Sequence, residues 1–425
     1  MAKHRNCSTK SQVQVVNSIT VQLPLPVVGT LLDARSAFFE LCVETGRQVL
    51  MHMQEVDREV LCGPKGKHDL DRRAHRGGSS PSRVVLGGRE IAMPRLRVRG
   101  AGGEASLPSF LWAANHDPLD AYTAAAIAAG ASTRKYAGML DPLPEGINEA
   151  GVSKSAVSRR FVALTTRQLG EFVNRPLHTV DLRIVFIDGK VFKEHCILIA
   201  LGVDSAGKKQ VLGLREGATE NARVATALLA DLIERGLPTD RPLLFVIDGA
   251  RALRRAIQDA FGDYGLVQRC QLHKRKNVLG HLPESLSASV DRAMQDAYRA
   301  DSEGLAKKQL LRLASSLEQN HPSAAASIRE GLDETLTVIR LGVKDTLRQF
   351  LSTTNPIENL NGSVEQYTRN VKRWRGGRMI ERWVAAALIN AEHKFRRIRG
   401  YRDLPRLIAA IDNEAGLVHE QHQVA

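Results

Sequence analysis

The chain has 425 residues, more than one ordinary domain core holds, and this length predicts about two to four modules. Its 43% hydrophobic and 25% charged residues are typical of globular proteins and exclude a chain that is disordered throughout. A formal net charge of +14 favours polyanionic partners, nucleic acid above all. The low aromatic content of 5% argues against a protein that stacks single-stranded bases.

The five cysteines are odd in number and show no CxxC pair, which disfavours a disulfide framework and a zinc ribbon. No apolar run reaches the roughly 20 residues that span a bilayer. The opening MAKHRNCSTKSQ lacks the apolar segment of a signal peptide. The sequence therefore predicts a cytoplasmic protein with no membrane partner.

Residues 1–82 are predicted to form a leader followed by a helical region, with one helix over Ser36–Met53. Residues 62–83 combine Gly, Pro and basic side chains, which favours an exposed loop over a packed element. A domain boundary is predicted at the end of this loop.

Residues 83–180 are predicted to contain a β-hairpin and a DNA-binding region. Two short β-like runs, Val84–Leu86 and Glu90–Met93, flank the turn dipeptide Gly87-Gly88. Three arginines then alternate with apolar residues and would share one face of a strand: Arg95, Arg97 and Arg99. That face could lie along phosphates or be a solvated sheet face, and the pattern does not choose between them.

A helix-turn-helix is predicted from a helix around Thr133–Leu140 and a second helix in GVSKSAVSRRF. Ser153 suits the N-cap of the second helix, and Val157 and Phe161, at i and i+4, should point inward. The residues predicted to contact DNA are Lys154, Ser155, Ser158, Arg159 and Arg160. Ordinary packing of a helical bundle is the alternative for this element.

From Leu182 the pattern becomes α/β. Three apolar runs, RIVFIDG, HCILIALGVD and KQVLGLREG, predict consecutive strands. An amphipathic helix over Ala222–Arg235, a fourth strand over Leu243–Ile247 and a helix over Arg251–Phe261 follow. The order β-β-β-α-β-α in a mixed sheet is that of an RNase H-like core, whose first part we place at residues 181–280.

Two acids directly follow apolar strand runs and precede glycine, namely Asp188 and Asp248. Carboxylates at the ends of neighbouring strands project into the crevice where open α/β sheets bind ligands. A single Asp-Gly pair more often only opens a turn. Two such pairs in one predicted sheet favour a shared site.

A third acid is required if the site holds two Mg²⁺ ions, which need hard oxygen ligands from several directions. Glu358 is the candidate, because Thr354 or Asn355 can cap a helix that starts at Pro356 and carries Glu358 in its first turn. On composition alone, such a glutamate contributes only a favourable interaction with the helix dipole. Residues 281–350 are predicted to be an α-helical insertion, and residues 351–425 the second part of the core.

A basic segment follows Glu358 in a region predicted to be helical. Its candidate phosphate-binding residues are Arg369, Lys372, Arg373 and Arg375. A solvated basic helix face is the alternative.

Several strings of this sequence resemble the signatures of bacterial Mutator-type insertion-sequence transposases: DGARALRRAI, QRCQLHKRKNV, TTNPIENLNGSVEQYTRNVKRW, SKSAVSRR and VNRPL. The resemblance extends from roughly Ser132 to Arg382. It implies a DDE transposase in which Asp188, Asp248 and Glu358 bind two Mg²⁺ ions, with Mn²⁺ able to substitute.

The same resemblance implies double-stranded DNA partners, namely terminal inverted repeats and target DNA, and at least a homodimer in a bacterial, nucleoid-associated setting. The family's Cys-x-x-His signature falls on Cys270 and His273. Two ligands are too few for a structural zinc. A supporting role is predicted instead, with His273 near the scissile phosphate or buttressing Asp248.

Two rival functions remain open at this point. A nuclease of the same core would cleave DNA without joining it. A helix-turn-helix regulator carrying an inactive α/β domain would bind DNA and need none of the three acids.

Overall fold

The computed structural model describes residues 34–424, except 68, 70–71, 117–139, 141–146, 148, 193, 218–221 and 370. The chain divides into two compact units, Met1–Phe161 and Val162–Ala425. Among the helices described, none is both long enough and apolar enough to cross a membrane. Nearly all of the helix predicted around Thr133–Leu140 lies outside the described residues.

The first unit combines a small antiparallel sheet with helices. Its elements are α1 (Ala34–Cys62), β1 (Ala74–Leu86), β2 (Arg89–Gly100), β3 (Gly103–Ala105), α2 (Pro108–Asn115) and β4 (Glu149–Ala150). The predicted hairpin about Gly87 and Gly88 is confirmed, since β1 pairs antiparallel with β2. The exposed loop predicted over residues 62–83 is wrong from residue 74 onward, because those residues pair with β2 in spite of their Gly, Ser and Pro content.

Burial alternates with a period of two up to Met93 and again from Leu96 to Val98, and the alternation shifts by one residue between Met93 and Leu96. The three arginines alternate with these residues, and Arg97 and Arg95 lie 2.7 and 3.5 Å from Glu104. Their charge is thus partly neutralised within the sheet, which favours the interpretation as a solvated face.

Helix α3 (Lys154–Val173) begins at the predicted position. Ser153 Oγ accepts a hydrogen bond from the Ala156 amide, and Val157 and Phe161 are buried, as predicted. Four of the predicted DNA-contacting side chains on this helix are exposed: Lys154, Ser155, Ser158 and Arg159. The fifth, Arg160, is half-buried and donates to the carbonyl of Gly151 at 2.6 Å.

The second unit is built on a mixed sheet, as predicted, and this sheet has five strands. Its first elements are β5 (Leu182–Phe192), β6 (His195–Asp204), β7 (Lys209–Gly217), α4 (Ala222–Glu234), β8 (Leu243–Ile247), α5 (Arg251–Phe261) and β9 (Gly265–Arg269). The strands lie in the order β7-β6-β5-β8-β9. β5 pairs antiparallel with β6 and parallel with β8, and β9 is a fifth strand that the sequence did not predict.

The two faces of this sheet pack against different helices. Val185 and Ile187 of β5 belong to a core cluster that includes buried residues of α4 and α5. Phe186, which points to the opposite face, meets Phe350 edge to face at 5.7 Å. Because side chains alternate along a strand, Asp188 lies on the same face as Phe186.

The region after β9 is helical, in agreement with the prediction. It contains α6 (Gln271–Leu279), α7 (Glu284–Tyr298), α8 (Glu303–Leu317), α9 (Pro322–Arg329), α10 (Leu332–Thr335), α11 (Thr337–Arg340) and α12 (Asp345–Leu351). Buried Lys274 of α6 donates to the carbonyls of Ser327 and Glu330 and to the Glu330 carboxylate. Burial would raise the pKa of Glu330, but hydrogen bonds from Lys274 and Arg269 lower it to about 2. The insertion is thereby tied to the end of the sheet.

The chain ends in α13 (Asn355–Thr368), α14 (Gly377–Glu392) and α15 (Leu404–Val424). Helix α13 packs against β5, and α14 packs against β7. The sequence predicts a helical section here, and this is wrong for residues 371–376, which have no regular secondary structure and carry exposed Lys372, Arg373 and Arg375. Trp374 lies between these cations and packs edge to face on Phe192 at 5.6 Å, which anchors the segment to the end of β5.

Candidate active site

Asp188 and Asp248 lie on neighbouring parallel strands. Ile187 is the register partner of Ile247, so each aspartate is one residue beyond the last paired position of β5 and β8. β8 ends there, whereas β5 continues to Phe192. Asp188 is therefore inside a strand rather than at a turn, and the turn-opening alternative is wrong for this residue.

Local backbone geometry holds Asp248 at the end of β8. Its Oδ1 accepts a hydrogen bond from the Ala250 amide at 2.9 Å. Gly249 has a φ of 111°, a conformation that side-chain-bearing residues rarely adopt. A glycine after the aspartate lets the chain leave the strand directly into α5.

Glu358 lies in the first turn of α13, as predicted. The helix has Thr354 at its N-cap and a proline in its first turn. The Thr354 hydroxyl, however, caps no backbone amide, and instead donates to Glu358 Oε1 at 2.6 Å. The N-cap residue thus fixes the glutamate side chain.

The three carboxylates interact electrostatically. The pKa of Asp188 is raised to about 6, first by burial and then by the charges of Asp248 and Glu358. A group whose pKa is raised by two neighbouring anions lies in a concentration of negative charge. The charges of Asp248 and Glu358 therefore act on the Asp188 carboxylate.

Thr354 connects Glu358 to the Cys-x-x-His pair. Its hydroxyl, on a residue with 0% exposure, lies 3.3 Å from His273 Nδ1 and 3.4 Å from Cys270 Sγ. The hydroxyl proton has its shortest contact with Glu358, so a protonated His273 Nδ1 can donate to the hydroxyl oxygen. The pKa of His273 is raised to about 8, chiefly by its hydrogen bond with Cys270 and in part by the charges of Glu358 and Asp248.

Cys270 is the N-cap of α6, and its sulfur accepts hydrogen bonds from the backbone amides of His273 and Thr354 at 3.5 and 3.4 Å. Burial alone would raise the pKa of the thiol, but side-chain hydrogen bonds with His273 and Thr354, and after them these backbone hydrogen bonds, lower it. Cys270, His273 and Glu358 could supply three ligand atoms within 4.8 Å of one another. Because the Thr354 hydroxyl contacts all three, a soft metal would have to displace it. The geometry therefore suits a hydrogen-bond network better than a zinc site.

The donor set around Asp188 fits a hard divalent cation. It consists of carboxylate oxygens, which Mg²⁺ prefers, and their mutual repulsion is relieved when a cation binds. Asn361 of α13 lies beside them with 5% exposure, and its Nδ2 donates to Asp188 Oδ2 at 2.8 Å. Its Oδ1 is buried without a hydrogen-bond partner among the described residues. A buried oxygen without a donor is costly in an isolated protein and is stabilised by a nearby cation or its water ligands.

Two residues of this site were missed or misinterpreted from sequence. Thr354 was considered only as a helix cap, and Asn361 was not singled out. The available signal was spacing, because Asn361 follows Glu358 by three residues and the two share a helix face. Within the part of the chain that the structure describes, Lys372, Arg373 and Arg375 form no hydrogen bond or ion pair with these acids.

These features define a mixed α/β protein in which two aspartates follow the last paired residues of neighbouring parallel strands. The family model described as transposase, Mutator family, matches residues 34–398. The chain belongs to this family.

Curated relatives are insertion-sequence transposases. The transposase for insertion sequence element IS6120 of Mycolicibacterium smegmatis is 30% identical over 248 residues, covering 57% of this chain and 75% of the relative. The transposase for element ISRM5 of Rhizobium meliloti is 24% identical over 375 residues, covering 86% and 91%. The transposase for IS256 in transposon Tn4001 of Staphylococcus aureus is 26% identical over 275 residues, covering 60% and 69%.

Proposed function

We propose that this protein is a DDE transposase that cleaves DNA at the terminal inverted repeats of an insertion sequence and joins the ends to target DNA. The observation that carries the proposal is geometric. Asp188 and Asp248 each lie one residue beyond the last paired position of the parallel strands β5 and β8. The helix that carries Glu358 is joined to Asp188 by a hydrogen bond from Asn361. The strand order β7-β6-β5-β8-β9, with the first three strands antiparallel and the rest parallel, supports an RNase H-like core. Family membership supports the transposase assignment.

Asp188, Asp248 and Glu358 would hold two Mg²⁺ ions, for which Mn²⁺ could substitute. When bound, such a pair lowers the pKa of the attacking water or 3′-hydroxyl and stabilises the leaving oxygen. The protein would contribute rigidity: two acids stand on paired strands, and the third is fixed by Thr354. No covalent enzyme intermediate is needed.

DNA would be bound by exposed cations. Lys372, Arg373 and Arg375 lie on the segment that Trp374 anchors to β5, the strand that carries Asp188. Arg369 precedes this segment. The start of α3 would add a second contact with the duplex through Lys154, Ser155, Ser158, Arg159 and Arg160, as the second helix of a helix-turn-helix. Because two DNA ends must be joined in one event, the active form would be a homodimer or larger.

The decisive experiment uses the full-length protein and duplexes carrying the inverted repeats that flank its gene. With Mg²⁺, we expect nicks at the repeat ends and covalent joining of those ends to a second duplex, both resolved on denaturing gels. Cleavage without joining would favour a nuclease of the same core. Binding without cleavage, in Mg²⁺ and in Mn²⁺, would favour a DNA-binding regulator. EDTA should abolish cleavage and leave sequence-specific binding in place.

A Thr354→Val variant tests the contact to Glu358. Valine preserves shape but removes the hydroxyl, so Glu358 loses its 2.6 Å hydrogen bond. We expect the cleavage rate to fall by about 10- to 100-fold, the usual effect of losing a group that orients a metal ligand. Thr354→Ser should retain most activity, and Thr353→Val serves as the neighbouring control. Equal rates for Thr354→Val and the wild type would show that the hydroxyl does not orient Glu358.

A further inference from the structure

Asn361 is a buried amide on α13, a helix whose other buried residues are mostly apolar. Its neighbours along the buried side of α13 are Ile357, Leu360 and Val364. Leucine at this position would need no hydrogen bonds, whereas an asparagine must satisfy several. Packing alone therefore does not explain the residue.

The contacts of Asn361 point to Asp188. Nδ2 donates to Asp188 Oδ2 at 2.8 Å, from a helix on which Glu358 lies one turn earlier. Residues three apart share a helix face, so α13 presents its carboxylate and its amide toward the same site. The backbone amide of Gly189 also hydrogen-bonds the Asp188 carboxylate.

The side-chain oxygen of Asn361 gives a second observation. Asn361 Oδ1 is buried without a hydrogen-bond partner among the described residues, which is unfavourable in a protein interior. An oxygen in that state beside the Asp188 carboxylate is a further hard donor at the same place.

We propose that Asn361 positions the carboxylate of Asp188 for metal binding, with its amide hydrogen occupying Oδ2 so that the other carboxylate oxygen is directed to the cation. This inference rests on the proposed function, since it requires a divalent cation at Asp188. Asn361 is thus a positioning residue that acts through Asp188.

The test measures Mn²⁺ binding by electron paramagnetic resonance. The full-length protein is bound to a precleaved element end that lacks its 3′-hydroxyl, so no joining can occur. Asn361→Leu should weaken Mn²⁺ binding by about 10- to 100-fold. Asn359→Leu is the matched control, because Asn359 is exposed on the same helix, and it should bind Mn²⁺ as the wild type does.

A merely structural role predicts a different result. If Asn361 only docks α13 on the sheet, Asn361→Leu should alter the melting temperature and leave Mn²⁺ affinity unchanged, which would overturn the proposal. Asn361→Ala provides a second variant should leucine prevent folding. If Mn²⁺ binding depends on Asp188 but not on Asn361, this inference is wrong and the proposed function stands. If Mn²⁺ binding does not depend on Asp188, both are wrong.

Discussion

Exchange of Asp188 for asparagine is expected to lower DNA cleavage by about 1,000-fold or more, on the scale seen when one member of a catalytic unit is removed. Asparagine keeps the size of the side chain but removes the negative charge that would hold the cation. Glu358→Gln should have the same effect. In both variants, binding to the inverted repeat should stay near the wild-type value, because the exposed cations of residues 371–376 are unchanged.

Gel assays of cleavage and mobility-shift assays of binding separate these two quantities. Asp240→Asn and Glu234→Gln are matched controls, since both acids are exposed on the same unit and neither belongs to the site. Near-wild-type cleavage by Asp188→Asn or Glu358→Gln would remove that acid from the catalytic assignment. If both variants and the wild type bound DNA equally and none cleaved it, the regulator hypothesis would be favoured.

The carboxylates could be predicted because their signal is local. Each aspartate directly follows an apolar strand run, and Glu358 follows a proline at a helix start. The contacts that hold these acids are not local. Thr354 contacts Cys270, which is 84 residues earlier in the sequence, and Asn361 contacts Asp188, which is 173 residues earlier. No periodicity or spacing predicts such pairs without homologous sequences or a fold.

The fold also divides into elements with a strong local sequence signal and elements that depend on contacts distant in sequence. The four strands predicted in the second unit have strong apolar runs, and the structure contains all of them. β9 was missed because its sequence, GLVQR, is short and ends in polar residues that are buried against the insertion. Gln268 Nε2 donates a hydrogen bond to the carbonyl of Thr335, and Gln268 Oε1 accepts one from the amide of Val338. Residues 74–83 looked like a loop by composition, but pairing with β2 overrides their weak strand propensity.

The basic segment after α13 combines an aromatic contact with exposed cations. Its composition is compatible with helix, and a helix was predicted. In the structure Trp374 packs on Phe192, so the flanking Lys372, Arg373 and Arg375 stand exposed on an irregular connection. Cations held this way lie beside the strand that carries Asp188, instead of being spread around a helix.

Replacing Lys372, Arg373 and Arg375 together with alanine is therefore expected to weaken DNA binding by about 100-fold at about 0.15 M salt. Each phosphate contact releases a counterion, so the loss of three contacts should reduce the slope of log affinity against log salt by about 3. Affinity should fall similarly for the inverted repeat and for unrelated DNA, because contacts to phosphates carry no sequence information.

The control removes the same charge elsewhere on the unit, by replacing Arg255, Lys308 and Arg312, which are exposed on α5 and α8. If DNA is attracted only by the overall positive charge of the surface, the two triple variants should lose the same affinity and show the same change in salt slope. This outcome would contradict a specific DNA-binding segment. A drop confined to the segment variant would show that phosphates contact this connection. Since the connection is anchored at the end of β5, such a duplex would be held next to the three carboxylates, as cleavage by them requires.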